Sequence, residues 1–405
     1  MEYQLYTLPS GLRIVHRQEA IPVCHCGMVI DTGSRDEAPH EQGLAHFVEH
    51  LLFKGTQKRR SGHIINRLEN VGGELNAYTA KEETVVYAAV LNEHMEKAVD
   101  LIGDIVFRST FPEKELEKER VIILDEIQSY NDSPSELIYD EFEELIFDAP
   151  LGHAILGTPE LLQSYSRTDL LGFVGRNYHP SRMVFYMVGQ VSASKLLKMA
   201  ERYLVPVNTD LTATLRRSPA EYLPSHKELK RDTFQVHYMV GGRAIGLQHP
   251  QRMSMYLLNN ILGGPGMNSR LNLSLREKHG LVYTVDSVYQ PLTDTGMWTV
   301  YFGTDASNFR KCERLVLQEL RRLREEKIKD SMLKNYKFQL LGQMAIGMEQ
   351  KENAAMSLGK SILRYEKADS IEHVKELIMA ITADQLQDLA QLAFNENEFS
   401  SLKYY

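Results

Sequence analysis

Within GLAHFVEHLLFKGT, residues 43–56, two histidines and a glutamate stand at His46, Glu49 and His50. On a helix, side chains four residues apart lie one turn above each other on the same face. Both imidazoles can therefore turn a nitrogen toward one ion. Zinc accepts such nitrogens at about 2.0–2.1 Å and needs a third protein ligand if one coordination position is to stay open for chemistry. Glu49, three residues after His46, lies near that face, placed to reach a water beside the ion rather than the ion itself. The five letters HFVEH are equally compatible with an amphipathic helix that happens to carry charge. A third ligand would separate the two readings.

A candidate stands in EKELEKERVIILDEIQSYNDSP, residues 113–134, where Glu119 and Glu126 are seven apart. Seven residues are two helical turns, so the two carboxylates share a face. Val121, Ile122, Leu124 and Ile127 around them predict that Glu126 borders a buried surface, where a carboxylate needs a partner and a metal is one. By itself this segment reads as a helix charged on its solvent side. Combined with His46 and His50, Glu126 completes the open three-ligand zinc site of a metallohydrolase.

The elements that must carry these groups are legible from periodicity. HIINRLENVGGELNAYTAKEETVVYAAVLNEHMEKAVDLIGDIV gives a helix, a glycine turn, two alternating strands around AKEE and another helix. NLSLREKHGLVYTVDSVYQPLTDTGMWTVYFGTDASNFRKCERLVLQEL repeats that order, with Gly280 at the turn and TDTG between the strands. The period is far longer than that of a solenoid repeat, which points to a duplicated domain.

Between the copies, residues 205–232 are polar, hold three prolines and show no sustained hydrophobic period. The expected division is a first domain at 1–208, a linker at 209–229 and a second domain at 230–405. Hairpins combined with helix pairs predict an α+β fold, two homologous domains that each carry helices on one face of a mostly antiparallel sheet. Long helices are expected at 113–131, 134–147, 309–327 and 330–347, with a break at Asp132, Ser133 and Pro134. The CHC run at 24–26 alternates with Val23, Met28 and Ile30 as buried strand residues do, and is not assigned to metal.

The formal charge of −8 disfavours a nucleic-acid partner, because phosphate affinity comes from clustered Lys and Arg. MEYQLYTLPSGLRIVHR has neither a basic n-region nor an apolar h-region, and no run is long enough to span a bilayer, so neither secretion nor membrane insertion is expected. With only Cys24, Cys26 and Cys312 the chain is no disulfide scaffold, and a cytoplasmic location is the expectation.

Taken together, GSRDE at 33–37, GLAHFVEHLLFKGT at 43–56, GGELNAYTAKEET at 72–84, ERVIILDEI at 119–127 and NDSP at 131–134 resemble the HxxEH inverzincins of the pitrilysin and insulinase type. The branch that resembles the mitochondrial processing peptidase is the nearest in pattern, and the likeness runs along essentially the whole chain. It implies one Zn2+ per chain, with His46, His50 and Glu126 as ligands, Glu49 as the base that activates water, and Glu119 as a second carboxylate orienting the site. In LREKHGLVYTV the resemblance assigns Arg276 and Tyr283 to substrate or transition-state binding, and it places Asn76 and Ala77 on an edge strand where an extended peptide could add.

The second copy has MSMYLLNNILGG at 253–264 where the first has its metal helix, with no histidine and no acid. It is expected to bind substrate and no metal. The implied activity is a zinc endopeptidase acting on unfolded peptides or flexible N-terminal segments inside a chamber. Members of this length resemble half of a four-domain clamshell, so a homodimer is expected. Competing readings are a non-catalytic structural or partner subunit, a zinc- or peptide-binding module without hydrolysis, and a hydrolase completed by a different partner chain. The joint presence of His46, Glu49, His50, Glu119 and Glu126 disfavours the first; a base beside an open coordination position disfavours the second.

Overall fold

The structure, a computed structural model, describes residues 2–206 and 216–405. The expected linker at 209–229 therefore lies partly outside the described residues, through position 215.

In the first half, strands β1 (Gln4–Thr7), β2 (Arg13–Gln18) and β3 (Val23–Ile30) precede helices α1 (Leu44–Leu52) and α2 (Ser61–Glu69). The hairpin β4 (Glu74–Thr79) and β5 (Thr84–Leu91) leads into α3 (Met95–Arg108), α4 (Glu113–Asn131) and α5 (Pro134–Ile146). Next come α6 (Pro159–Ser164), α7 (Arg167–Asn177), β6 (Met183–Gly189) and α8 (Ala193–Tyr203). The second half runs β7 (His226–Leu229), β8 (Val236–Ala244), α9 (Arg252–Gly263), the hairpin β9 (Val282–Pro291) and β10 (Gly296–Thr304), then α10 (Phe309–Glu325) and α11 (Asp330–Met348). It closes with α12 (Lys351–Tyr365), α13 (Ile371–Ala380), α14 (Ala383–Ala393) and β11 (Ser400–Tyr404).

The four long helices expected from the sequence are α4, α5, α10 and α11, with Pro134 at the first turn of α5, where its missing N–H costs nothing. Cys24 and Cys26 are wholly buried on β3, as the alternation predicts.

The chain forms mixed α/β architecture with two sheets, mostly antiparallel and flanked by helices. The first sheet has the order β1-β2-β6-β3-β5-β4 and the second β7-β11-β8-β10-β9. The apolar strands β6 (MVFYMVG) and β10 (GMWTVYFGT) are buried along their whole length and sit inside their sheets, as strands covered on both faces must. The alternating strand β4 (ELNAYT) lies at an edge and pairs with β5.

Each sheet has two apolar faces, and how the second is covered departs from the contiguous domains expected at 1–208 and 230–405. The compact units are instead interleaved: residues up to 127 with 154–217 and 346–369, and residues 128–153 with 218–345 and 370–405. In the second unit α5, from the first half of the chain, lays Ile138, Phe142 and Ile146 against Met239, Tyr301 and Leu402. In the first unit α12, from the second half, lays Ala355, Leu358 and Ile362 against Val29, Val184 and Tyr186. Gly359 permits that close approach, because a Cβ there would stand 2.6 Å from the Tyr186 ring. Arg364 on the same helix pairs with Asp31 at 2.7 Å. Helices therefore lie on both faces of each sheet rather than on one, because an uncovered row of Val, Met and Tyr would remain in water. Among the described residues no helix is long and apolar enough to cross a membrane.

Candidate metal centre

Helix α1 is no surface helix. Leu44, Ala45, Phe47, Val48, Leu51 and Leu52 are all buried in the core of the first unit. Its start is fixed by Gly43, whose φ of +90° suits glycine and whose missing Cβ avoids the Leu156 carbonyl oxygen at 2.6 Å. The buried Glu37 of GSRDE accepts hydrogen bonds from the Gly43 amide at 3.0 Å and the Ala45 amide at 2.7 Å. A carboxylate thus takes donors that the first helical turn leaves unpaired. Burial nevertheless holds the Glu37 carboxyl well above the usual range, against the pull of those two amides.

His46 and His50 emerge one turn apart from this helix, with ring centres 4.6 Å apart and planes inclined by 69°. Glu126 comes from α4. Its Oε2 lies 3.9 Å from His46 Nε2 and 3.6 Å from His50 Nε2. One ligand atom from each of the three residues lies within 4.8 Å of the others, the only such group of three among the described residues. Two ligands at 2.1 Å from a tetrahedral ion stand roughly 3.4 Å apart, close to the carboxylate–imidazole separations here.

The donor set fits a cation on two further counts. Burial, and then the neighbouring His50, hold the His46 imidazole pKa down at about 3, so this ring is neutral at ordinary pH and keeps a lone pair to donate. Glu119 Oε2 lies 3.2 Å from His50 Nδ1, the place of a carboxylate that holds the ring through one nitrogen while the other, Nε2, faces Glu126 at 3.6 Å.

The apolar pattern on α4 predicted that Glu126 borders a buried surface. The residues buried there are Leu116, Glu119, Ile123 and Ile127, while Val121 and Ile122 are exposed. The deeply buried carboxylate is thus Glu119; Glu126 remains partly open, as a residue beside an accessible coordination position should be.

Glu49 is half-buried, and Thr79 of β4 donates its hydroxyl to Glu49 Oε2 at 2.6 Å. Burial raises the Glu49 carboxyl above its usual range, opposed by Thr79 and His50. A carboxylate with raised basicity is the better proton acceptor near neutral pH. Asn76 and Ala77 lie on the same edge strand, opposite Tyr87 and Val86 of β5. Arg276 and Tyr283 belong to the second unit, where the Arg276 guanidinium stands 5.7 Å from the centre of the Tyr283 ring.

Three contributors escaped sequence reasoning. Lys54 donates to Glu119 Oε1 at 2.7 Å, so a Lys54–Glu119–His50 chain stands behind the candidate ligands His46, His50 and Glu126. Thr79 and Glu37 are the others. All three lie inside the segments FKGT, NAYT and GSRDE; Lys54 and Thr79 meet partners from distant elements, and Glu37 caps the start of the helix that follows it.

The insulinase model of peptidase family M16 matches residues 13–159, and the model for the M16 inactive domain matches residues 164–340. An uncharacterized zinc protease of Bacillus subtilis is 32% identical over 97% of this chain and 96% of its own length. One from Mycobacterium leprae is 34% identical over 96% of this chain and 89% of its own. Among solved structures, a peptidase M16 inactive domain from Pseudomonas fluorescens has a TM-score of 0.91 at 20% identity, covering 100% of this chain and 98% of that one. A protease from Helicobacter pylori has 0.90 at 19%, covering 100% and 99%. The two structures speak for the fold alone; the family models and the full-length relatives show that this chain belongs to the insulinase family of peptidases, family M16.

Proposed function

We propose that the chain is a zinc endopeptidase that cuts unfolded peptides and flexible N-terminal segments. The observation that carries this reading is the convergence of His46, His50 and Glu126 with Glu49 beside them, its carboxylate held by the edge strand that offers main-chain hydrogen bonds to a peptide. Zinc, when bound by His46, His50 and Glu126, supplies Lewis acidity toward water and the scissile carbonyl. Glu49, held at Oε2 by Thr79, takes the proton of the attacking water and delivers it to the leaving amine. Glu119, charge-balanced by Lys54, fixes the His50 ring. Asn76 and Ala77 align the substrate main chain, and Arg276 and Tyr283 hold substrate or the developing negative charge.

Tyr283 is 84% exposed on an edge strand, available to groups beyond its own unit. We extend the reading to a homodimer in which a second copy supplies Arg276 and Tyr283 and the two chains enclose a chamber that excludes folded domains. Light scattering at micromolar concentration should give twice the chain mass, and a fully active monomer would remove this part of the reading.

Glu49→Gln tests the chemistry. Zinc per chain should stay at that of the unsubstituted protein while turnover of a fluorogenic peptide falls about a thousandfold, the middle of the range for losing a general base. Turnover unchanged in that variant would end the assignment.

A further inference from the structure

Arg216 lies in the polar stretch expected to join the two domains, where an arginine should be solvated. It is instead largely buried within the first unit, which the chain leaves after Arg217. The guanidinium holds Asp36 with two donors, Nε to Oδ1 at 3.1 Å and Nη2 to Oδ2 at 2.8 Å. It also pairs with Asp31 Oδ1 at 2.9 Å and donates to the Glu82 carbonyl oxygen at 2.9 Å. Burial works against the charge on Arg216, but Asp36 and Asp31 outweigh it and raise the guanidinium above its ordinary value. The next carbonyl, that of Arg217, accepts from Arg35 at 2.9 Å, so the backbone of this stretch is held as well as its side chain.

Glu82 belongs to the turn at 80–83 between β4 and β5, and several distant elements grip that turn. Ser34 and Arg35 donate their amides to the carbonyl oxygens of Ala80 at 3.2 Å and Lys81 at 2.8 Å. The Arg35 guanidinium pairs with Glu82 Oε1 at 2.6 Å. Arg364 of α12 donates to the same Glu82 carbonyl as Arg216, at 2.9 Å, and pairs with Asp31 at 2.7 Å. One carbonyl oxygen thus takes two guanidinium donors. Immediately before the turn stands Thr79, whose hydroxyl donates to Glu49 Oε2. A shift of the turn is therefore a shift of the group that holds Glu49, and misplacing a reacting group by about 1 Å can cost about a hundredfold in rate.

We propose that Arg216 is a positioning residue for Glu49. Through the Glu82 carbonyl it holds the turn, the turn fixes Thr79, and Thr79 fixes the carboxylate. The inference rests on the peptidase reading of Glu49. Arg364 contributes to the same grip, but it sits on a helix that covers the sheet, so its replacement would mix this role with packing. Arg216 stands two residues before Ser218, where the second unit begins, so the contact that anchors the joining stretch also anchors the base.

The experiment is a double-substitution cycle in the full chain, Arg216→Met and Thr79→Val singly and together, read as kcat on a fluorogenic peptide. Arg216→Met should lower kcat about fivefold, less than the roughly tenfold of losing the Thr79 hydroxyl, because Arg35 and Arg364 still hold the turn. In the Thr79→Val chain the same replacement should add less than about twofold, because two groups acting in series do not add. Zinc per chain should be the same in all four proteins. Arg216→Lys keeps the charge without the planar fork and should recover part of the loss. Hydrogen exchange read by mass spectrometry is independent of turnover: residues 79–84 should exchange faster in Arg216→Met, and α3 should not. Costs that multiply to about fiftyfold, as a merely structural role would give, overturn the proposal. An unchanged kcat in Arg216→Met, or unaltered exchange at 79–84, also overturns it. Should Arg216→Met not fold, Arg216→Lys takes its place in the cycle and is judged by the same outcomes. No turnover by the unsubstituted chain sinks the peptidase reading and this inference with it, whereas turnover with multiplying costs sinks Arg216 alone.

Discussion

Helices α1 and α9 occupy equivalent places in the two units, each packed beside the edge strand of a hairpin, β4 for α1 and β9 for α9. Both make the same kind of tie to that strand. In the first unit the Thr79 hydroxyl donates to the Glu49 carboxylate at 2.6 Å. In the second the Ser287 hydroxyl donates to Asn259 Oδ1 at 2.6 Å, and Asn259 Nδ2 donates back to the Ser287 carbonyl at 2.9 Å. The neutral amide is satisfied as both donor and acceptor and is finished as structure. The carboxylate has acceptor capacity left over, and imidazoles one turn apart stand beside it. One scaffold thus carries a finished structural tie in one unit and unspent coordinating groups in the other, and the difference lies in a few side chains on α1 and the two acids that α4 brings opposite them.

The strongest way to break that comparison is to remove the groups that set the first unit's helix and its facing acids apart. His50→Ala and Glu126→Ala should each cut zinc per chain, measured after desalting, from one to near zero, with peptide hydrolysis lost in parallel. Retained zinc in either variant would show that the triad is not the ligand set. A smaller effect is expected one step back from the ion. Lys54→Met removes the cation that holds Glu119 and should weaken zinc affinity about tenfold to a hundredfold, the usual scale for a partner of a ligand. Lys54→Arg should restore most of it, read by competition against a zinc chelator. Equal affinities for all three proteins would reduce the Lys54–Glu119–His50 chain to packing.

What the sequence made legible follows from what is local. The bounds of α4, α5, α10 and α11, the burial of Cys24 and Cys26 on β3, and the shared face of Glu119 and Glu126 are set by periodicity and by Pro134, within a few turns of chain. The interleaving of the units is not local. An apolar stripe on α12 says that Ala355, Leu358 and Ile362 are buried, and nothing in it says that Val29 and Tyr186 of the first sheet bury them. The same holds inside the site. Lys54 and Thr79 look like ordinary polar residues in FKGT and NAYT, and only the fold brings them to Glu119 and Glu49. Val121 and Ile122 misled for the converse reason: apolar letters on a helix mark a buried face only when the helix is covered on that side.

The finest test of the comparison exchanges the two ties between helix and edge strand. Thr79→Val keeps the shape of the side chain and removes the donor to Glu49. Turnover should fall about tenfold, the equivalent of one hydrogen bond to a charged group, with zinc content held. Asn259→Leu removes one of the two acceptors of the buried Ser287 hydroxyl in the second unit, the other being the Thr299 carbonyl at 2.9 Å, together with the amide that donates to the Ser287 carbonyl. It should lower stability by about 1 kcal/mol, the net scale of an ordinary hydrogen bond, and leave zinc content unchanged. Thr79→Val should thus act on rate and Asn259→Leu on the unfolding midpoint, because the first tie holds the carboxylate proposed as the base and the second closes a core. Were Thr79→Val to shift only the midpoint, the two ties would be the same device, and the orientation of Glu49 would have to come from α1 alone.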